Sequence, residues 1–279
     1  EIFKEFKDAN ISLATRDDIA QKSRAADAIV IATGELPYAE TPGNIVDLTL
    51  DAEELALIEA ARATGKPVIL MMIAGRPRII PDVLNRVDAF IWAGLPGFEG
   101  GQAIAEILSG QVNPSGKLPF TYPAYPGHWH PYNYKSMETF FSESEKEAFR
   151  NSIANFGDGL SYTTFEYSDL SLASESVSGS ETLVASVQVT NTGNRPGKEA
   201  VLWFISDEVG SITRPVKALK HYEKQELQPG ETATFTFNIS PVDALAFPDE
   251  NGKMLLEPGQ FTLQAGGLSA GFSYSEQDQ

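Results

Sequence analysis

Cysteine is absent from the 279 residues, so disulfides and thiolate metal sites are excluded, and the redox compartment cannot be read from this chain. No apolar run approaches the roughly 20 residues of a membrane span. Basic residues are also few. The chain carries 21 Lys and Arg against 38 Asp and Glu, a formal charge of -17. Binding a phosphate backbone needs clusters of Lys and Arg, which argues against nucleic acid as a partner. Such acidity serves solubility, with adaptation to a salty medium as the alternative reading. The first residue is Glu1 rather than an initiator methionine, and residues 1–6 lack the pattern of a signal peptide. The chain is therefore expected to start inside a longer protein, with any signal upstream. Its length accommodates two domains, each large enough to bury a core.

The short apolar run 27–33, DAIVIAT, has the length and β-branching of a buried strand and is followed at once by residues 34–40, GELPYAE. Two carboxylates, Glu35 and Glu40, thus fall in a loop at a strand's carboxyl end. In open α/β sheets ligands bind there, because the strand ends form a crevice and the loops vary without disturbing the core. Pro42 and Gly43 favour an irregular continuation over a helix start. Acidic loop residues are most often solvated surface, so this heptapeptide gains its weight from what surrounds it.

The first 119 residues alternate strand and helix. A short helix is expected over 16–25. Asp51 is placed as an N-cap with Glu54 three positions on, Leu55, Ile58 and Arg62 follow at helical spacing, and Gly65 is the stop. Strands are expected at 68–73, which is apolar without alternation as when both faces are covered, and at 89–92. A helix is expected over 102–108, ended by Gly110. This order implies parallel strands with right-handed crossovers, and hence a partial α/β sandwich domain lacking its first units.

From 120 to 160 the periodicity disappears into a connector rich in Pro and aromatics, which excludes a helix or central strand. His128 and His130 invite a metal reading. No carboxylate or cysteine cluster supports it, so packing or hydrogen bonding of the rings is expected, and no cofactor. From 161 to 279 the chain reads as all-β. Residues 182–190 and 232–239 alternate with period two, and further strand-like runs lie at 200–205, 217–226 and 260–265, which indicates a fibronectin-type sandwich. Trp203, Phe204, Tyr222 and Phe235 could form a sugar-stacking platform, but their place in alternating strands favours core and contact roles.

The ordered succession of GELPYAE, residues 48–51 (LTLD), 65–70 (GKPVIL), 75–77 (GRP), 88–92 (DAFIW), 95–101 (LPGFEGG), 113–119 (NPSGKLP) and 156–163 (FGDGLSYT) resembles the carboxyl-terminal half of glycoside hydrolase family 3. The GExPYxE form is most similar to the exo-1,3/1,4-β-glucanase branch. Retaining hydrolysis of a glycoside needs two carboxyl groups about 5–5.5 Å apart, one a nucleophile and one an acid that then acts as base. Glu35 and Glu40 are candidates for that pair within one loop. The resemblance implies another division. The nucleophile is an aspartate on an amino-terminal (β/α)8 barrel, which this chain lacks. Glu40, closing the motif, is the acid/base. Glu35, Tyr38 and Arg76 are assigned to substrate binding or loop organisation, with Arg76 a candidate partner of the Glu35 carboxylate or a support of the crevice rim. The implied protein is a retaining exo-acting β-glucosidase or β-glucanase, secreted or periplasmic, whose isolated carboxyl-terminal chain is inactive. The implied substrate is a β-glucan or β-glucoside. The alternatives are a family member acting on a β-xyloside and a non-catalytic chain that binds glycans.

Overall fold

A computed structural model describes residues 10–128, 131–135 and 152–276, which fall into two compact units. The first unit holds described residues 10–112, 121–128 and 152–155. It begins with α1 (Ile19–Lys22), continued by a single 3₁₀ turn over Ser23–Ala25, a shorter helix than 16–25. The Asp18 carboxylate turns back to accept the Thr15 N–H at 2.7 Å and pairs with Lys22 at 2.6 Å, so the helix starts without a side-chain cap.

Strands β1 (Ile29–Gly34), β2 (Val68–Ile73) and β3 (Ala89–Trp92) form a parallel sheet in the order β1-β2-β3, with Ile29 opposite Val68 and Ile69 opposite Ala89. Helix α2 (Ala52–Arg62) opens on a complete capping box: Asp51 accepts from the Glu54 amide, and Glu54 accepts from the Asp51 amide. These reciprocal bonds satisfy donors that the helix end leaves free. A short α3 (Pro81–Leu84) precedes β3, and α4 (Gly100–Leu108) follows it, starting two residues ahead of expectation. The core is Ile31, Ile58, Leu70, Met71, Met72 and Ile80, all buried. Because Val68, Leu70, Met71 and Met72 are covered, β2 reads as an apolar run rather than an alternation. Tyr122 joins this unit from the chain beyond α4. Its ring meets Phe90 edge-on at 5.9 Å and its hydroxyl accepts the Arg78 N–H. Burial pushes the phenol up to about 12, so it remains neutral.

The second unit, described residues 113–120, 131–135 and 156–276, is a β-sandwich. One sheet has the order β5-β13-β12-β7-β8, built from β5 (Ser176–Ser178), β13 (Leu268–Ser275), β12 (Gly259–Ala265), β7 (Gly197–Asp207) and β8 (Ala218–Leu227). The other has the order β4-β6-β9, from β4 (Phe165–Leu172), β6 (Leu183–Asn191) and β9 (Thr232–Ile239). A separate antiparallel pair is made by β10 (Phe247–Pro248) and β11 (Met254–Leu255). Alternate residues of β6 point inward onto Trp203, Phe235, Leu263 and Phe272, the pattern of a sheet with one face on the core. The 113–119 motif belongs to this unit. The Asn113 side chain accepts from the Ser161 hydroxyl at 2.9 Å and the Tyr162 amide at 2.8 Å and donates to the Pro196 carbonyl at 2.9 Å.

Of the four sandwich aromatics, Trp203 and Phe235 are core. Phe204 meets Phe156 edge-on at 6.2 Å under the Lys217 ammonium. Tyr222 is not core, because β8 is an edge strand and the residue is 67% exposed. His128 accepts the Ala124 N–H at Nδ1 and stacks on Tyr125 at 4.5 Å; His130 lies outside the described residues.

Candidate functional site

Where β1 ends, the backbone itself selects the residue. A Cβ on Gly34 would lie 1.8 Å from the Ile73 carbonyl oxygen, so only glycine lets the two strand ends approach and lets the Glu35 N–H reach that oxygen at 2.9 Å. From this fixed point the chain runs through residues 35–43 above the ends of β1 and β2, closing in a 3₁₀ turn over Thr41–Gly43.

The two glutamates of this loop are in opposite situations. The Glu35 carboxylate is only 8% exposed. Its Oε2 accepts from the Tyr38 hydroxyl at 2.9 Å and from Arg76 Nε at 3.3 Å, while its Oε1 lies 3.0 Å from the same Nε without hydrogen-bond direction and 3.9 Å from Arg78 Nη1. A buried carboxylate is stable only with such charged partners. Glu40 is exposed, and its carboxylate makes no hydrogen bond or ion pair among the described residues. Its backbone has φ 50 and ψ -134, a region that costs an L-residue on the order of 1–3 kcal/mol.

Tyr38 and Arg76 hold the first of them. The Arg76 guanidinium sits over the Tyr38 ring at 4.7 Å, donates from Nη2 to the Gly43 carbonyl at 2.6 Å and pairs with Glu35. The hydrogen bond that Arg76 donates to the Tyr38 hydroxyl and the Glu35 charge push its ionisation further above the usual arginine range. A Cβ on Gly43 would fall 2.2 Å from the Tyr38 ring, and one on Gly75 2.8 Å from its hydroxyl. The two glycines therefore form the slot that holds the ring.

The structure thus brings Glu35, Tyr38 and Arg76 into direct contact and leaves Glu40 outside that cluster. Arg78, Gly43 and Gly75 were not singled out by sequence reasoning as parts of this arrangement. Only the alternation of Arg76 and Arg78 after β2 signalled that a second arginine faces the same side. Leu36, Val46, Leu95 and Phe98, all on loops at the same end of the sheet, are largely exposed. A separate cleft of about 530 Å³, lined by residues 15–17, 31–33 and the start of α2, runs beside β1 and includes none of these four loop residues.

A parallel sheet with a charged, glycine-shaped loop at its strand ends, followed in the chain by a fibronectin-like sandwich, is the frame in which the relatives of this chain are found. The chain belongs to glycosyl hydrolase family 3: the family's C-terminal domain matches residues 2–162, and a fibronectin type III-like domain matches residues 199–269. It is 37% identical to the lysosomal beta glucosidase of Dictyostelium discoideum over 91% of this chain and 31% of that protein. It is likewise 37% identical to the periplasmic beta-glucosidase of Salmonella typhimurium over 91% of this chain and 34% of that one, and 35% identical to a beta-xylosidase of Formosa agariphila over 88% and 34%. Among solved structures, a β-glucosidase from Erythrobacter marinus superposes with a TM-score of 0.83 at 32% identity, covering 93% of this chain and 36% of that one. The chain spans about a third of the length of these curated relatives.

Proposed function

We propose that this chain is the carboxyl-terminal part of a retaining, exo-acting β-glucosidase or β-glucanase in which Glu40 is the general acid/base. The nucleophile, an aspartate, is then carried by an amino-terminal (β/α)8 barrel outside this chain. The observation that supports Glu40 is the contrast within the loop: its carboxylate is exposed and uncommitted, whereas Glu35 is held by Tyr38 and Arg76. A carboxylate already engaged by a hydroxyl and a guanidinium is not free to reach a glycosidic oxygen, whereas a general acid needs hydrogen-bond access to it.

The chemistry runs in two steps. The barrel aspartate attacks the anomeric carbon while Glu40 gives its proton to the glycosidic oxygen, the carbon–oxygen bond breaks, and the alcohol departs. Water then attacks the glycosyl-enzyme, the Glu40 carboxylate takes the water's proton, and the aspartate leaves with configuration retained. Glu35, Tyr38 and Arg76 hold the loop. The exposed apolar side chains Leu36, Val46, Leu95 and Phe98 support a surface covered by the rest of the polypeptide. The edge of β1, one of the sheet's two outer strands among the described residues, supports further strands contributed from the same source.

A β-glucoside or β-glucan is the substrate on this reading, with a secreted or periplasmic location. Its relationship to the Formosa agariphila beta-xylosidase supports a β-xyloside as the second reading. The test is azide rescue in the complete protein. Glu40→Ala with added azide is expected to form a β-glycosyl azide of retained configuration, since azide needs no general base. Glu35→Ala is expected to form none. Azide product from Glu35→Ala alone would reverse the assignment. The isolated chain is expected to hydrolyse no aryl β-glycoside.

A further inference from the structure

Residues 35–43 are held at their beginning, middle and end by one side chain. Arg76 pairs with Glu35 at 3.0 Å, lies over the Tyr38 ring at 4.7 Å and donates to the Gly43 carbonyl at 2.6 Å. The ring in turn fills a slot that only Gly43 and Gly75 leave open. The stretch between Tyr38 and Gly43 must therefore span two pinned points, and within it Glu40 takes the unfavourable backbone of φ 50 and ψ -134. No side-chain bond of Glu40 holds that conformation. The residue is not glycine, and its side chain has no partner among the described residues. Its carbonyl closes a turn with the Gly43 amide at 2.9 Å, so the distortion is transmitted through the same residue that Arg76 grips.

We propose that Arg76 is a positioning residue whose three-way grip forces Glu40 into this strained backbone and so aims its carboxylate away from the loop's own cluster. The functional meaning rests on Glu40 being the acid/base; the mechanical claim does not. Lysine cannot substitute, because an ammonium is a point charge without the planar fork that reaches Glu35 and the Gly43 carbonyl together and stacks on a ring.

The test is a double-substitution cycle in the complete protein, read by hydrogen exchange at the amides of Gly43 and Asn44, which close on the Glu40 and Thr41 carbonyls. Glycine accepts the Glu40 backbone without strain, so Glu40→Gly is expected to slow exchange there about fivefold, strain relief exceeding glycine's added freedom in the open state. In the Arg76→Lys background, where the loop is free to relax, the same change is expected to slow exchange not at all. Equal slowing in both backgrounds would overturn the proposal, since the strain would then be independent of Arg76. No slowing in either background would overturn it as well. A kinetic arm separates this from the acid/base assignment. Arg76→Lys should lower kcat on substrates with poor leaving groups by up to about 10²-fold with KM little changed, and cost nothing further in Glu40→Ala. If the exchange cycle holds and this loss persists undiminished in Glu40→Ala, the grip stands and the acid/base assignment falls.

Discussion

Two described residues other than glycine take positive φ, Glu40 in the loop after β1 and Asp169 within β4, and they do so for different reasons. At Asp169 the pairing of β4 with β6 skips between Ser168 and Ser171, so that two residues of β4 face one of β6. The conformation is that of a β-bulge, a device by which a strand bends, and aspartate tolerates left-handed backbone better than most residues. At Glu40 no ladder passes and no bulge is formed; the distortion is imposed from the loop's anchors. The same contrast separates two glutamates. Glu199 of the sandwich accepts from the Tyr167 hydroxyl at 2.8 Å and pairs with Lys117 at 3.1 Å, and Glu35 likewise has a tyrosine and a cation. In the sandwich this trio joins elements of the fold. In the α/β unit it fixes a loop whose exposed member is left unengaged. Similar local chemistry thus serves cohesion in one region and, on the proposed assignment of Glu40, presentation in the other.

The largest effect that would sharpen this contrast is in the sandwich. Trp203 is fully buried, with Phe237 at 6.0 Å, and Trp203→Ala is expected to cost about 3–5 kcal/mol in chemical denaturation of the sandwich transition. A loss below about 1 kcal/mol would mean that the sandwich core is not organised around it. At the small end is the bulge. Asp169→Gly is expected to change stability by no more than about 0.5 kcal/mol, because the bulge pays its strain within the strand pairing, whereas Glu40→Gly should be clearly stabilising to its loop. If Asp169→Gly stabilised as much as Glu40→Gly, the two positive-φ residues would be alike and the comparison would fail.

Much of this was legible in the sequence where a local rule decides the structure. The Asp51 and Glu54 capping box, the apolar run of β2 and the alternation of β6 each carry their own signal, and each lies where the pattern places it. The sequence reading missed β4 and β13. The first loses its period at the bulge at Asp169; the second, LSAGFSYS, does alternate, with Leu268, Ala270, Phe272 and Tyr274 on one face, but its serines and glycine dilute the strand signal. A signal for β13 was present in Gly266-Gly267, both at positive φ, the dipeptide that a tight hairpin turn between β12 and β13 demands. In the loop, the pairing of Glu35 with Arg76 was readable from two strand ends. The slot for Tyr38 was not, because it depends on Gly43 and Gly75, which are 32 positions apart in the chain and meet only when the sheet is formed.

On the proposed function the loop divides its two glutamates into one that organises and one that acts, and this division is read from how each loss depends on the leaving group in the complete protein. Glu40→Ala is expected to slow glycosides with poor leaving groups by about 10²–10⁴-fold, while activated aryl glycosides, which need no proton to depart, lose far less in the first step. Glu35→Ala is expected to slow both classes alike, through a displaced loop. A leaving-group dependence found in Glu35→Ala and absent from Glu40→Ala would contradict this division.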